Sequence, residues 1–305
     1  MASGRQSAFS TFGIEAATLA GLTWVMVAGA IVIFVGVAIL MIVALRSRGG
    51  TLSHRGGMRL ILWVGGVVPT IVLFALLVAT LPQMRPIRTA PADLRIAVQG
   101  EQFWWRVAYR PPGQPELITA NEIRVPVGRN VVFALRAGDV LHSFWIPGLA
   151  GKMDMVPGRT NTLVVHATRA GRFRGQCAEF CGLSHALMAF DVIAMPPGDF
   201  DAWLARQRRA ATTTTGEGAR LFADYGCGGC HRIAGTAAAG AIGPDLTHIG
   251  ARPSLGAGTQ PMTRDHLVRF ITQAPDVKPG ARMPAYPHMP ARDATRIAAW
   301  LEGLR

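Results

Sequence analysis

Two long stretches without a charged residue constrain this chain most. The first runs from Ala16 to Leu45 and the second from Leu60 to Leu81, so they contain thirty and twenty-two residues. Either length is sufficient for a helix to cross the hydrocarbon core of a bilayer. A cleavable signal peptide has an apolar run of about 7–15 residues and a small-residue cleavage pattern, which the first stretch lacks. We therefore predict a transmembrane helical hairpin at the start of the chain.

The connection between the two stretches is basic. It carries Arg46, Arg48, Arg55 and Arg59 and no acidic residue. Short loops rich in arginine remain in the cytoplasm by the positive-inside rule. Both ends of the hairpin, and everything that follows it, are then expected on the outer side of the membrane.

Composition agrees with a membrane anchor. Half of the 305 residues are hydrophobic, 16% are charged, and the mean hydropathy is +0.28. These values are too apolar for a protein whose entire surface meets water. The net charge of +13 comes with a general preference for arginine over lysine, and we expect no nucleic-acid partner.

Beyond Pro82 the chain changes character twice. Short segments rich in β-branched residues and separated by Gly, Pro and Asn indicate a small β-sandwich or barrel. Later, Ala/Arg/Leu-rich helical patterns alternate with Gly/Pro loops, which indicates a small helical domain. The predicted organisation is a transmembrane hairpin in residues 1–90 with spans at 16–45 and 60–81, a β domain at 91–198, a helix and Thr-rich linker at 199–216, and a helical domain at 217–305.

The first pair of cysteines belongs to a group of potential metal ligands. The segment CAEFCGLSHALM places Cys177, Cys181, His185 and Met188 within twelve residues, and His142 precedes Cys177 by thirty-five. Thiolate, imidazole and thioether together form a soft ligand set that favours copper. Two cysteines, rather than one, can bridge a pair of metal ions. On spacing alone, a disulfide between the two cysteines and a Cys₂His₂ zinc site remain open alternatives.

The second pair of cysteines lies in the pentapeptide CGGCH. Cys-x-x-Cys-His is the attachment signature of a c-type haem, in which Cys227 and Cys230 form thioethers and His231 binds the iron. A thioredoxin-like redox pair needs a βαβ context, and a zinc ribbon needs another cysteine pair. Neither context is present in the C-terminal domain, so covalent haem is the preferred interpretation.

A sixth iron ligand is expected later in the same domain. Met262, Met283 and Met289 are candidates, and Met283 is favoured because it lies between two predicted helices in the segment RMPAYP. This segment resembles the Met-Pro loop of small class I cytochromes c. The segment GPDLTHIGAR resembles the same family, which implies that the carbonyl of Pro244 holds the ring of His231. Such a contact fixes the tautomer of a metal-bound histidine.

About the first two hundred residues resemble the copper-bearing subunit II of haem-copper cytochrome c oxidases. The motifs that carry the resemblance are GEQFWW, DVLHSFWIPGLAGKMDMVPGR and CAEFCGLSHALM, together with the two-helix anchor. The resemblance implies a dinuclear copper centre, CuA, in a cupredoxin-like Greek-key β-barrel. Its implied ligands are the bridging Cys177 and Cys181, the terminal His142 and His185, and, as weak ligands, Met188 and the backbone carbonyl of Glu179.

The same resemblance implies a magnesium ion at the boundary with oxidase subunit I. The side chain of Glu179 is expected to reach this ion. Asp139 and Asp154 match acidic residues at the same boundary, although each could equally accept backbone hydrogen bonds at a turn or strand end.

The resemblance also implies where an electron enters the copper domain. Phe103 occupies a position at which subunit II proteins commonly carry tryptophan, and Trp104 and Trp105 follow it. Basic residues outnumber acidic ones by sixteen to ten in residues 83–211 and by ten to seven in residues 212–305. Like charges slow association with a basic cytochrome c, so we expect an acidic or neutral donor, or one bound within a respiratory supercomplex.

The order of the domains resembles the caa-type oxidases, in which a cytochrome c is fused to the C-terminus of subunit II. This implies an electron-transfer subunit of a terminal oxidase in a bacterial cytoplasmic membrane, with the copper and haem domains on the periplasmic side. Electrons would pass from a donor through haem c and CuA to subunit I, which reduces oxygen to water and pumps protons. This chain would carry the relay and not the oxygen-reducing site.

Two other functions fit parts of the sequence. The copper and haem c subunit of a nitric oxide reductase is the main alternative, since the chain alone separates it poorly from an oxidase subunit. A membrane-anchored copper-delivery protein would have no need of a covalent haem, so the CGGCH motif speaks against it. Quinol oxidases are disfavoured because their equivalent subunit lacks the copper ligands.

Overall fold

The computed structural model describes residues 6–47, 53–84, 87, 89–90 and 93–305. They form two compact units, one within residues 18–88 and the other within residues 1–17 and 89–305. Arg48 and the predicted start of the β domain at residue 91 lie outside the described residues.

Two helices in the N-terminal part are long and apolar enough to cross a membrane. The first is α1, Ile14–Arg46, and the second is continuous from His54 to Gln83. Their most apolar 18-residue windows have a mean hydropathy of 3.0 and 2.5, and neither window is buried within the protein. The exposed apolar surface suits contact with lipid.

The second of these helices contains a π-helical turn. It consists of α2, His54–Leu60, the π turn Ile61–Val67, and α3, Val68–Thr80, followed by a 3₁₀ turn at Leu81–Met84. The amide of Val68 donates to the carbonyl of Trp63, five residues back. Proline has no amide hydrogen and its ring clashes with the carbonyl four residues before it. The wider turn thus accommodates Pro69 without ending the helix.

Ten strands form two five-stranded sheets that pack face to face as a cupredoxin-like sandwich. The sheet orders are β3-β2-β1-β5-β8 and β4-β10-β9-β6-β7. The bounds are β1 Leu94–Glu101, β2 Trp104–Arg110, β3 Leu117–Ala120, β4 Glu122–Pro126, β5 Asn130–Ala137, β6 His142–Trp145, β7 Met153–Met155, β8 Asn161–His166, β9 Gly171–Cys177 and β10 Ala189–Met195.

An aromatic cluster fills the space between the two sheets. The rings of Phe144 and Phe190 stack with their centroids 4.7 Å apart, and Trp105 meets Phe190 edge-on at 5.0 Å. Gly175 on β9 is paired with Phe190 on β10, and a Cβ atom at Gly175 would lie 2.1 Å from the Phe190 ring. Glycine is therefore required on β9, because the Phe190 ring from the neighbouring strand of the same sheet lies across it.

A helix follows the sandwich and belongs to its core. This is α4, Pro197–Gln207, which begins with a proline at a position where the missing amide hydrogen costs nothing. Its Phe200, Trp203 and Leu204 are buried against the sandwich, and Trp203 meets Tyr109 with ring centroids 5.2 Å apart.

The C-terminal domain is small and helical. Its elements are α5 Glu217–Asp224, the two-stranded hairpin β11 Ser254–Leu255 and β12 Gln260–Pro261, α6 Arg264–Thr272, α7 Ala274–Val277 and α8 Ala291–Gly303. Residues of α5, α6 and α8 share one apolar core. The predicted Thr-rich linker runs along this domain, because the indole of Trp300 donates to the carbonyl of Thr213 at 2.8 Å.

Replacement of Gly175 by alanine should destabilise the sandwich. The new Cβ would overlap the Phe190 ring, and overpacking of this kind costs about 1–3 kcal/mol or more. We expect the Gly175→Ala variant to unfold at a lower temperature by calorimetry. Gly198→Ala is the matched control, since nothing lies within 4 Å of a Cβ at that exposed helix position. Equal midpoints for both variants would contradict the packing described.

Candidate functional site

One strand junction assembles the first cluster of candidate ligands. Cys177 ends β9, His185 opens a 3₁₀ turn, and Met188 immediately precedes β10, while His142 begins β6 alongside. The amide of Cys177 donates to the carbonyl of Met188 at 2.9 Å, which closes the intervening loop at its base. The sequence-distant histidine and the loop are thus brought to one end of the second sheet.

The donor atoms of this cluster lie close together. The Sγ atoms of Cys177 and Cys181 are 3.8 Å apart, and Cys181 Sγ lies 3.8 Å from Met188 Sδ. The Nδ1 atom of His142 is 3.8 Å from Cys177 Sγ, and that of His185 is 3.7 Å from Cys181 Sγ. His142, both cysteines and Met188 are buried, and His185 is half-buried. The backbone carbonyl of Glu179 approaches Cys177 Sγ to 3.2 Å.

The spacing of these donors fits metal ions better than a disulfide. The cysteines are free, and a disulfide needs sulfurs about 2.05 Å apart. A first-row metal bonds sulfur at about 2.3 Å and imidazole nitrogen at about 2.0–2.1 Å, so each sulfur pair or sulfur–nitrogen pair can share one ion. His142, Cys177 and Cys181 alone offer three ligand atoms within 4.8 Å of one another. The nearby thioether of Met188 favours copper over zinc.

Asp139 orients His142 for this role. Its Oδ1 atom lies 2.9 Å from His142 Nε2, which leaves Nδ1 directed at Cys177. The amides of Gln102 and Val140 donate to the same carboxylate at 2.8 Å each. Burial raises the pKa of Asp139, but these hydrogen bonds outweigh it and the net pKa is lowered. A carboxylate behind a metal-binding histidine fixes its tautomer and ring orientation.

The thiol of Cys177 is prepared to ionise. Its hydrogen bond with the Cys181 thiol lowers the pKa of Cys177 most, burial opposes this, and the His142 ring adds to the lowering. Since the thiolate is the form that binds metal, the site favours the metal-binding state of this residue.

The side chain of Glu179 faces a cation of the protein itself. Its carboxylate lies 4.0 Å from the ammonium of Lys152, which also contacts Asp154 at 3.2 Å. Asp154 in turn accepts from the hydroxyl of Ser143 at 2.8 Å. Magnesium binding by Glu179 remains a prediction.

The CGGCH motif forms a turn after α5. Gly226 adopts a left-handed backbone with φ of 73°, and a 3₁₀ turn follows at Cys227–Gly229. The Nδ1 atom of His231 lies 2.8 Å from the carbonyl of Pro244, as the resemblance to cytochromes c implies. Burial lowers the pKa of His231, which favours the neutral ring, and with Nδ1 beside the carbonyl of Pro244 the Nε2 atom is the one left for a metal.

A large cleft opens beside this motif. It encloses about 1460 Å³ of space free of protein atoms, part of it open to solvent, and its lining is mainly apolar. Cys227, Cys230, His231 and Met283 all line it. Two cysteines, a histidine and a methionine in one apolar cleft are the residues that would hold a covalent haem. Met289, by contrast, is buried in the core of the helical domain.

The aromatic run of the β domain lines the same cleft. Phe103 and Trp104 contribute to its wall, whereas Trp105 is fully buried in the aromatic cluster between the sheets. Gln102 precedes them, and its Nε2 atom donates to the carbonyl of Cys181 at 2.6 Å. One short segment therefore touches both the cleft and the loop of the cysteine cluster.

Sequence reasoning missed the contacts between the two domains. Arg282 pairs with Asp139 at 3.1 Å, and Arg106 donates to the carbonyl of Ala241 at 2.8 Å. The sequence placed Asp139 at a subunit boundary or as an acceptor of backbone hydrogen bonds, and no local pattern marks a partner 143 residues away. The close spacing of Asp139 and His142 was the one signal that could have indicated their hydrogen bond.

Loss of the Asp139 carboxylate should weaken metal retention. We expect Asp139→Ala to lower copper affinity about 10–100-fold, because His142 loses the partner that orients its ring. Copper content after titration with a competing chelator measures this. Asp201→Ala, at an exposed position of α4, is the control and should retain copper as the parent does. Equal retention by both variants would count against the role of Asp139.

Comparison with known families agrees with this architecture. The family described as "Cytochrome C oxidase subunit II, periplasmic domain" matches residues 94–195, and the family "Cytochrome c" matches residues 216–305. Domains of these two families imply binding of copper as CuA and of haem c. The C-terminal position of the cytochrome c domain fits the caa-type oxidases.

Several curated relatives are named "Cytochrome c oxidase subunit 2". The protein of Alkalihalophilus pseudofirmus is 40% identical over 69% of this chain and 61% of its own length. That of Bacillus subtilis is 30% identical over 78% of this chain and 70% of its own length. That of Bacillus sp. PS3 is 32% identical over 80% of this chain and 74% of its own length. The chain thus belongs to the cytochrome c oxidase subunit 2 family, a component of haem-copper oxidoreductases.

Proposed function

We propose that this chain is the electron-transfer subunit of a respiratory terminal oxidase. It accepts electrons from an external donor at haem c and passes them through CuA to subunit I, where oxygen is reduced and protons are pumped. One observation carries the proposal: Phe103 lines the cleft of the CGGCH motif, and the adjacent Gln102 bonds to the carbonyl of Cys181.

The two cofactors would be held by separate sets of residues. The proposed CuA ligands are His142, Cys177, Cys181, His185, Met188 and the carbonyl of Glu179. The proposed haem c residues are Cys227, Cys230, His231 and Met283, with Pro244 behind the histidine. When bound, both groups supply reversible one-electron oxidation and reduction.

The protein's own residues keep the copper ligands in place and dry. Asp139 fixes the ring of His142. The backbone hydrogen bond from the Cys177 amide to the Met188 carbonyl holds the two ends of the ligand loop together. Burial of both cysteines and Met188 limits the access of water. A rigid, enclosed ligand set changes little when an electron arrives or leaves, which suits fast transfer rather than bond chemistry.

Phe103 and Gln102 provide one connection between the two sites, because both line the cleft and Gln102 is hydrogen-bonded to the ligand loop. Phe103 is buried, and the ring lies near the backbone of Gly182 in the ligand loop. The Gln102 amide side chain bonds to Cys181 at 2.6 Å. We infer that electrons from the haem cleft reach CuA past this pair, with Trp104 at the rim of the cleft.

The same proposal fixes the orientation in the membrane. Arg46 lies in the last turn of α1, and Arg55 and Arg59 lie in α2, so the basic ends of the two spans are adjacent in sequence. By the positive-inside rule these ends face the cytoplasm of the bacterium, and the copper and haem domains face the periplasm. Subunit I and other membrane subunits are the partners, with magnesium beside Glu179 at their boundary.

Spectroscopy of the purified complex tests the relay. We expect two coppers sharing one unpaired electron by electron paramagnetic resonance, one covalent low-spin haem, and re-oxidation of flash-reduced haem c coupled to reduction of CuA. A single localised copper, or haem that never reduces the copper, would refute the relay. Extraction of haem a would separate an oxidase from a nitric oxide reductase.

Replacement of Met283 identifies the sixth iron ligand. Met283 lines the haem cleft, so Met283→Ala should abolish the low-spin His/Met spectrum while the domain stays folded. Met289→Ala is the comparison: it removes a buried core side chain and should lower stability by about 2–5 kcal/mol with the spectrum retained. The opposite spectral result would assign the ligand to Met289.

A further inference from the structure

We propose that the haem domain is locked onto the copper domain by its hairpin at residues 254–261, named here the docking hairpin, and by Lys278. Lys278 is a positioning residue that holds the two cofactor sites at a fixed separation. The assignment of a role in electron transfer rests on the proposed function, whereas the docking itself rests on contacts of the protein alone.

The tip of the docking hairpin enters the copper domain. Ala257 is fully buried and belongs to the apolar core of the β-sandwich, although it lies in the helical domain by sequence. Its carbonyl accepts the amide of Ala189 at 2.9 Å. Ala189 directly follows Met188, so the hairpin tip is fastened one residue from a proposed copper ligand.

Side chains of the copper domain hold both flanks of the tip. Arg174 donates to the carbonyl of Gly258 at 3.0 Å, and Asp191 accepts from the hydroxyl of Ser254 at 2.6 Å. Gly258 has a φ of 74°, and a Cβ atom there would lie 3.1 Å from the Cβ of Ala189. The hairpin is thus hydrogen-bonded to, and closely packed against, the residues of β9 and β10 that it faces.

Lys278 joins the hairpin to the ligand loop. Its side chain is only 3% exposed, and its ammonium donates to the carbonyl of Leu187 at 3.0 Å and to that of Gly256. The hydroxyl of Thr259 also lies 3.2 Å from the carbonyl of Leu187. Leu187 belongs to the copper domain, between His185 and Met188, and Gly256 belongs to the docking hairpin.

A buried ammonium is tolerated only where acceptors surround it. Burial lowers the pKa of Lys278 to about 7, which reflects how completely water is excluded. The two carbonyls that accept from the Lys278 ammonium belong to different domains. The ammonium therefore has both hydrogen bonds only in the docked arrangement. Separation of the domains would leave the ammonium with only Gly256 of these two acceptors, and would leave the carbonyl of Leu187 without Lys278 and Thr259 as donors.

The segment after Lys278 extends the contact along the copper site. The carbonyl of Pro279 accepts from the hydroxyl of Ser184 at 2.7 Å, and a Cβ atom at Gly280 would lie 3.0 Å from the ring of Phe103. Arg282 then pairs with Asp139, the partner of His142. Residues 278–282 therefore run from the ligand loop to Asp139, the carboxylate bonded to His142, and end next to Met283.

The chemistry of the interface predicts a permanent rather than a transient contact. It consists largely of hydrogen bonds to backbone carbonyls and of apolar burial, with the ion pair of Arg282 and Asp139 at its edge. Salt screens exposed charges but has little effect on buried contacts. The rate of haem-to-copper transfer should then be nearly independent of ionic strength.

Hydrogen–deuterium exchange of the intact detergent-purified complex tests the docking. In the parent protein the amide of Ala189 should be protected, because its acceptor is Ala257. Lys278→Met and Ala257→Glu should each speed its exchange about tenfold or more, as expected for the loss of a buried contact. Ala291→Glu, at an exposed position of the same domain, is the matched control and should exchange as the parent does.

Electron transfer measured in the same samples separates positioning from folding. Both undocked variants should keep the haem and copper spectra but transfer electrons more slowly and with a rate that depends on salt. An unprotected Ala189 amide in the parent, or unchanged exchange in both variants, would overturn the proposal. Absent cofactor spectra in the parent would instead refute the proposed function, and the exchange data would still decide the docking.

Discussion

The hydrogen bond from the amide of Cys177 to the carbonyl of Met188 is the contact on which the candidate copper site depends. It joins the end of β9 to the start of β10, so the loop between them begins and ends at adjacent points. Within that loop Cys181 and His185 have little choice of position. A loop closed by the sheet itself presents its donors before any metal arrives, and preorganised ligands lose little entropy on binding.

The aromatic core of the sandwich packs next to the candidate copper ligands and holds them in place. Phe144 lies on β6, two residues after His142, and stacks on Phe190, two residues after Met188. Alternation along a strand places residues two apart on the same face of a sheet. The aromatic core between the sheets therefore also fixes the positions of His142 and Met188. Gly175 leaves space for the Phe190 ring of that core.

Most of the chemistry could be predicted from sequence because it is local. CAEFCGLSHALM and CGGCH each place several ligands within a few residues, and the strand segments carried their own β-branched signal. The docking hairpin carried no such signal, since Ala257 bonds to a residue sixty-eight positions away and has an unremarkable side chain. The burial of Phe103 was equally hard to predict, because one of the residues next to its ring, Gly280, belongs to the other domain. The π turn before Pro69 could not be predicted, because hydropathy shows how long an apolar helix is but not its hydrogen-bonding pattern.

The short connection between the domains is held at both of its ends. His248 lies 3.2 Å from the carbonyl of Gln207 and 3.1 Å from that of Arg209, and Trp300 bonds to Thr213. A flexible linker raises the local concentration of the domain attached to it by an amount that depends on the length and stiffness of the linker. A connection that is itself hydrogen-bonded to that domain, here at Gln207, Arg209 and Thr213, depends less on those properties. If the haem domain is docked as proposed, the length and stiffness of the threonine tract do not set how often electron donor and acceptor meet, because the two domains stay in contact.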